Sequence, residues 1–391
     1  MIEATSSCTG CGACQQICPV KAVKLIPDKE GFLYPSVDIE KCIKCNLCEK
    51  CCPIDNLVLK SEEKGRPIVL AAQNREDNIL LKSTSGGAFA VLAKYVLSKN
   101  GIVFGACMNE KLECFHTAIT DISQLKELQG SKYVQSATGE TFLQTKQALE
   151  NGRIVLYSGT PCQIGGLKCF LKKKYENLIT VDIVCHGVPN QCLFDQYIEW
   201  KQNKMNATID AYIFREKVRC DWNSPYNYFS IYVNKRKKFE KVIFDPYYWL
   251  FLKEASYRES CYQCAYANDQ RVGDITIADF WGVEKFFDSF DLKRGVSLIL
   301  LNTEKGKVML EYIKENMYTE DATIDMAKER NKNLSAPTSR PEIRSQVYNI
   351  VAEKGIDGVL KLMQKNPKYY VAIVKSYVPV KVKAKIKRFF K

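Results

Sequence analysis

The chain has 391 residues, enough for two or three domains of about 150 residues each, and its 46% hydrophobic and 26% charged residues exclude global disorder. The net charge of +13 does not mark a nucleic-acid-binding face, because Lys375, Lys381, Lys383, Lys385, Lys387, Arg388 and Lys391 put seven positive charges into the last 17 residues with no acid among them. The opening MIEATSSCTG lacks the pattern of a signal peptide and no apolar run approaches the roughly 18 residues of a membrane span, so eighteen cysteines with repeated C-x2-C spacing point to metal in a cytoplasmic protein rather than to disulfides.

Residues 1–58 form a cysteine-dense head built from an internal repeat. Each half reads C-x2-C-x2-C-x3-C-P: Cys8, Cys11, Cys14 and Cys18 before Pro19, then Cys42, Cys45, Cys48 and Cys52 before Pro53. Thiolates two residues apart can each take one corner of a cubane, while the fourth cysteine is carried off by the turn to the other cluster. Cys8, Cys11, Cys14 and Cys52 are therefore expected to hold one 4Fe-4S cluster, and Cys18, Cys42, Cys45 and Cys48 a second. Cys51 is left over, since only Cys52 has the spacing and the following proline. Structural zinc also uses C-x2-C pairs but rarely as two four-cysteine runs. Iron-sulfur clusters carry single electrons, so the head should move them.

Lys60–Pro67, polar and ending in Gly-x-Pro, reads as a linker that makes the head a separable unit. A second domain is expected over residues 68–340. Strand candidates begin at IVLAA from Ile68 and continue at GIVFGAC, RIVLYS, LITVDIVC, DITIAD and VSLILLN, with helical patterns between several of them. The helix after STSGG should end at Gly101. This alternation predicts an α/β fold with a largely parallel sheet. A β-rich insertion interrupts it, from DAYIFRE to NYFSIYVNKRKKFEKVIF, with a hairpin turn at Asn234 to Lys238. After about Asn302 the pattern is mostly helical, and residues 341–391 read as a helical C-terminal extension with a basic tail. That tail, VPVKVKAKIKRFFK, fits either a solvated end or peripheral contact with the anionic inner membrane surface.

Four further cysteines form a possible third site. Cys162 and Cys185 end two strand candidates, and a right-handed βαβ unit would bring both to one sheet edge. Cys261 and Cys264 have ligand spacing. Alternatively Cys162, just after Pro161, is a thiol activated at a helix start. Cys107, Cys114, Cys169, Cys192 and Cys220 read as packing residues.

The strings STSGGAFAVL, GSKYVQS, YSGTPCQIGGLK, VDIVCHGVP and CYQCAYANDQRVGDITIADFWG, in this order, resemble the coenzyme F420 hydrogenase/dehydrogenase beta-subunit family, in its version fused to a two-cluster ferredoxin domain. The resemblance runs from the head to about residue 340. It implies FAD, for which the chain shows no G-x-G-x-x-G fingerprint. Ser83, Thr84, Ser85, Gly86 and Gly87 at a helix start suit a flavin with hydroxyls and open backbone, although two glycines also suit close helix packing. Lys132, Tyr133 and Gln135 add a charge, a ring and an amide, and Gly159, Thr160 and Gln163 lie beside Cys162. The candidate acid–base groups are His186 and Asp279, with a structural role as the plainer alternative. Arg215 and Arg271 are anion-binding candidates or salt-bridge partners. DPYYWLFLKEASY is a substrate wall or a core helix.

These features predict an iron-sulfur flavoprotein oxidoreductase, taking electrons from a low-potential donor such as ferredoxin to FAD and a small-molecule substrate. F420-dependent chemistry, or a relay subunit without a substrate of its own, are the alternatives.

Overall fold

The computed structural model describes residues 2–56, 65–217, 222, 228–367, 369–371 and 373. Most of the linker, Cys220 and the basic tail lie outside the described residues.

In the head, β1 (Val23–Pro27) and β2 (Leu33–Val37) pair antiparallel, and the short helices Ala13–Ile17 and Leu47–Lys50 carry Cys14 and Cys48. The two halves repeat the same backbone device. Gly10 and Gly12 have φ of 67° and 82°, and their counterparts Lys44 and Asn46 both have φ of 56°. Two left-handed residues in each run turn the chain back on itself, so three successive cysteines face one space.

The body is built on an eight-stranded sheet. Its strands are β3 (Ile68–Asn74), β4 (Ile102–Met108), β5 (Cys114–Ile119), β6 (Val155–Gly159), β7 (Leu178–Ile183), and later β11 (Ile275–Asp279), β12 (Ser297–Leu301) and β13 (Met317–Ala322). They lie in the order β13-β3-β12-β11-β7-β6-β4-β5. Alternate residues feed opposite faces, as a pleated strand requires. Leu70, Ala72, Leu156, Ile299 and Leu301 pack under the helices Ala88–Ser98 and Leu310–Asn316, whereas Val69, Ala71, Leu298 and Leu300 enter the opposite core. Only the central run β4, β6, β7 and β11 is parallel, and the remaining neighbours are antiparallel. The sheet is thus mixed rather than largely parallel. The edge strands β5 and β13 escaped the sequence reading because polar residues interrupt CFHTAI and MYTEDA, as befits edges.

The β-rich insertion is a three-stranded antiparallel sheet of β8 (Ile209–Glu216), β9 (Tyr228–Val233) and β10 (Arg236–Lys241), with Asn234 and Lys235 as a two-residue turn at φ of 50° and 59°. It packs with the helices Gln191–Met205, Pro246–Leu252 and Arg344–Gln364 around an aromatic core of Phe194, Tyr197, Phe214 and Tyr247. DPYYWLFLKEASY is accordingly a core helix, capped by the Asp245 carboxylate accepting from the Tyr248 amide at 3.0 Å.

The head does not stand apart from this body. Cys11, Ala13 and Cys51 belong to one apolar cluster with Phe142, Ile164, Leu167 and Phe170. Arg344 reaches across to Glu30 at 2.6 Å, and Asn190 donates to the Glu30 carbonyl at 2.9 Å. Separability, read from the linker composition, gives way to burial that the composition does not encode.

Candidate redox centres

Cys8, Cys11, Cys14 and Cys52 line one cavity of about 630 Å³, together with Thr9, Gly10, Gly12 and Pro53. Cys18, Cys42, Cys45 and Cys48 line another, closed by Val20, Ala22, Val37 and Ile43. The repeat therefore interleaves: each cavity takes three cysteines from one run and the fourth from the other. In the second, the Ala22 amide donates to Cys18 Sγ at 3.2 Å. Among the described residues no three Cys, His, Asp or Glu side chains converge as a single-ion site requires. Burial raises the Cys14 thiol to about 12, helped by the charges of Cys51, Cys8 and Cys52. Such a set becomes thiolate only when a cation compensates it, and iron does so on coordination. The donor sets fit 4Fe-4S clusters.

The βαβ unit of β6, the helix Pro161–Leu171 and β7 delivers Cys162 and Cys185 to one edge, where a short 3-10 helix, Glu259–Gln263, brings Cys261. Cys162 and Cys264 pack against one apolar cluster, and burial raises the Cys185 thiol with the charges of Cys261, Cys162 and Cys264 adding to the rise, so the four partly buried thiols lie within electrostatic reach of one another. Cys261 is pushed to about 12 and Cys264 to about 11, with burial first among the causes and Cys162 acting on both. Thr160 Oγ1 lies 3.2 Å from Cys162 Sγ.

This third group adjoins the first. Burial raises the Cys11 thiol, followed by the charges of Cys14, Cys162 and Cys8, so one head cysteine senses a core cysteine. The glycines of Pro161–Leu171 make the approach possible: a Cβ on Gly166 would stand 2.8 Å from Cys11 Sγ. Cys51 is fully buried beside the first group and donates to the Cys48 carbonyl at 3.4 Å. Cys107, Cys114 and Cys169 are buried packing residues, whereas Cys192 is exposed on the first turn of its helix, contrary to the packing expectation.

The Ser83–Gly87 segment is tightly engaged. Ser83 Oγ donates to the Ile79 carbonyl at 2.8 Å, Ser85 Oγ to the Val296 carbonyl at 2.7 Å, and Thr84 Oγ1 accepts from the Ser131 amide at 2.7 Å. Gly86 is pressed on the sheet, since a Cβ there would meet the Ala72 carbonyl oxygen at 2.2 Å, and Gly87 (φ 84°) turns into the helix. What suits this place to an anionic cofactor is its flanking charge. Lys217 Nζ donates to the Ser85 and Arg294 carbonyls, both at 2.6 Å, and Lys132 Nζ donates to the Glu127 and Gln129 carbonyls at 3.2 and 2.9 Å. Burial lowers Lys217 to about 7, with Arg215 adding to the fall, and lowers Lys132 to about 8. Among the described residues neither ammonium has a carboxylate salt bridge, so a diphosphate-bearing group fits the donor set. Lys217 is legible only in the fold, because nothing in REKVRC distinguishes it from a surface lysine.

Tyr133 stacks on Phe251 at 4.3 Å, while Gln135 donates to the Thr9 carbonyl at 2.9 Å and so ties the first head loop to the body. Thr160 and Gln163 cap their own helix, and Gln163 also donates to the Ser136 carbonyl at 3.1 Å. Gly159 packs against Gln163 and His116. Asp279 accepts from Arg215 at 2.7 Å and from Trp222 Nε1 at 2.8 Å, and Trp222 stacks on Trp281 at 4.8 Å. His186 stays accessible at the surface, although the protein on its inner side pushes the imidazole pKa down and Asp279 opposes that shift. Arg271 pairs with buried Asp182 at 3.1 Å, so both arginine candidates close internal salt bridges.

Two cysteine groups in a repeated head, opening onto a third in an α/β body, are the construction of an iron-sulfur electron-transfer protein of the oxidoreductase class. Residues 7–69 match the 4Fe-4S dicluster domain, and residues 152–326 match the family described as the C terminus of the coenzyme F420 hydrogenase/dehydrogenase beta subunit. The second region is thus similar to that family, and the dicluster domain lies ahead of it. Among solved structures it is similar to a chain of the F420-reducing [NiFe] hydrogenase complex from Methanosarcina barkeri, at 15% identity and a TM-score of 0.45, over 79% of this chain and 96% of that one. No curated protein matches it.

Proposed function

We propose that the protein is an iron-sulfur flavoprotein oxidoreductase that passes electrons from a low-potential donor such as ferredoxin to a small-molecule substrate. The observation that carries this reading is the shared wall between head and body, where Cys162 and Cys264 pack against the apolar cluster that holds Cys11. When bound, three clusters supply one-electron transfer, and FAD converts it into two-electron chemistry. The residues then have separable tasks. Cys8, Cys11, Cys14 and Cys52, and Cys18, Cys42, Cys45 and Cys48, hold the head clusters. Cys162, Cys185, Cys261 and Cys264 hold the third. Ser83–Gly87 with Lys132 and Lys217 faces the anionic part of the flavin, and His186 is the accessible group able to hold a proton near Asp279. The exposed Cys45 makes the second head cavity the natural side for a donor.

The family description favours one specific alternative substrate, the deazaflavin F420 itself. Anaerobic purification followed by iron, sulfide and flavin analysis tests the cofactors, with about twelve irons per chain expected from three four-iron clusters, and one FAD. Iron near eight and unaltered by Cys264→Ala would remove the third cluster, and absence of flavin would remove the flavoprotein. Reduction of F420 by the loaded protein, followed by absorbance, separates the two substrates.

A further inference from the structure

Among the described residues three arginines are buried, and two of them have carboxylate partners: Arg271 pairs with Asp182 and Arg344 with Glu30. Arg258 has 0% exposure and none. Its Nε donates to the Cys8 carbonyl at 2.6 Å, Nη2 to the Leu33 carbonyl at 2.7 Å, and Nη1 to Gln135 Oε1 at 3.4 Å. Nη2 also stands 3.8 Å from Cys8 Sγ. Tyr34 presents its ring face to the guanidinium at 4.2 Å. Neutral oxygens and rings orient a buried cation but do not neutralise it, and a lone charge at such depth costs several kcal/mol.

The missing countercharge lies on both sides of the residue. Arg258 opens the 3-10 helix that carries Cys261, whose amide donates to the Arg258 carbonyl at 2.9 Å. Its side chain turns the other way, onto the Cys8–Cys11 loop, where Gly10 (φ 67°) leaves room: a Cβ there would stand 2.9 Å from Nη1. The positive charge also acts on the thiols of Cys162 and Cys261. An oxidised four-iron cluster with four thiolates carries roughly −2, and gains another negative charge on reduction.

Resting on the three-cluster reading above, we propose that Arg258 is a positioning residue whose guanidinium serves as shared countercharge for the first head cluster and the core cluster. Because the cation favours the more negative state, it holds both reduction potentials up and close together. The second head cluster, framed by Cys18, Cys42, Cys45 and Cys48, lies outside its contacts and is an internal reference.

The test is an EPR-monitored redox titration of the anaerobically purified full chain, as wild type, Arg258→Lys and Arg258→Gln, each with its iron counted. In Arg258→Gln two of the three midpoints should move to more negative values while the third stays, and in Arg258→Lys all three should remain near wild type. Fully loaded Arg258→Gln with unmoved midpoints overturns the proposal. So does Arg258→Lys shifting as far as Arg258→Gln, since that would make shape rather than charge the cause. Should Arg258→Gln fail to load, Arg258→Lys decides: native midpoints support the countercharge, and a second failure to load reduces the residue to a strut and overturns it. A wild type lacking the third cluster would instead refute the underlying reading, which the iron count reveals beforehand.

Discussion

His116 shows how one buried side chain sets a pH dependence. Its Nε2 is 3.0 Å from the Ser158 carbonyl, its ring stacks on Tyr157 at 5.5 Å, and its buried Nδ1 has no partner. Burial lowers the imidazole to about 4, with the Ser158 contact opposing. The folded state thus keeps it neutral, while the unfolded chain takes up a proton near pH 6.5, so stability is lost as pH falls from 6.5 towards 4. Between pH 7 and pH 5.5 the wild type should lose about 1 kcal/mol more than His116→Gln, measured by urea denaturation; equal losses would show that another group titrates. At the same scale, Cys264→Ala should lower iron by about four per chain, leaving the head's complement. The head cysteines were legible because their spacing is local and complete within each run. Arg258 was not, since its partners, Cys8 and Leu33, are more than two hundred positions away.

Helix Pro161–Leu171 is the element on which the two halves meet. A glycine inside a helix ordinarily costs about 1 kcal/mol relative to alanine, so Gly166→Ala would stabilise an isolated helix. Here the added methyl meets Cys11 Sγ at 2.8 Å and Cβ at 3.0 Å. Gly166→Ala should therefore destabilise the assembled protein by about 1–3 kcal/mol and deplete iron from the first head site, with the second head site spared. Mössbauer or EPR counting of the clusters checks this, and full loading with raised stability would contradict it. The pattern of apolar strands made the central sheet readable, including the two that deliver Cys162 and Cys185. Strand direction was not readable, because Ser297–Leu301 is as uniformly buried as a parallel strand, with four apolar residues in a row, although it runs antiparallel to both neighbours. The Ser83–Gly87 string was conspicuous in sequence, yet its glycines serve close backbone contact as well as any ligand.

For the molecule as a whole, the head is a wall of the body. Deleting residues 1–58 would uncover Phe142, Ile164 and Leu167, take the Cys8 and Leu33 carbonyls from Arg258 and take the Glu30 carboxylate from Arg344, at a cost of about 3 kcal/mol or more. The expected outcome is an aggregated or protease-labile product; a headless chain as resistant to trypsin as the intact one would refute the interlock. Among the described residues no helix is long and apolar enough to cross a membrane. The sequence of the terminal segment nonetheless leads us to expect salt-sensitive co-sedimentation with anionic vesicles, reduced by truncation after Tyr377. The interlock also bears on ancestry and on engineering. A ferredoxin joined by a tether can be exchanged like a plug, because each partner keeps its own surface. Here the pairs Gly166 with Cys11, Arg258 with Cys8 and Arg344 with Glu30 cross the junction, so a substitution on one side narrows what the other side tolerates. The two parts must drift as one lineage, and a chimera carrying a foreign ferredoxin would have to import the facing residues with it.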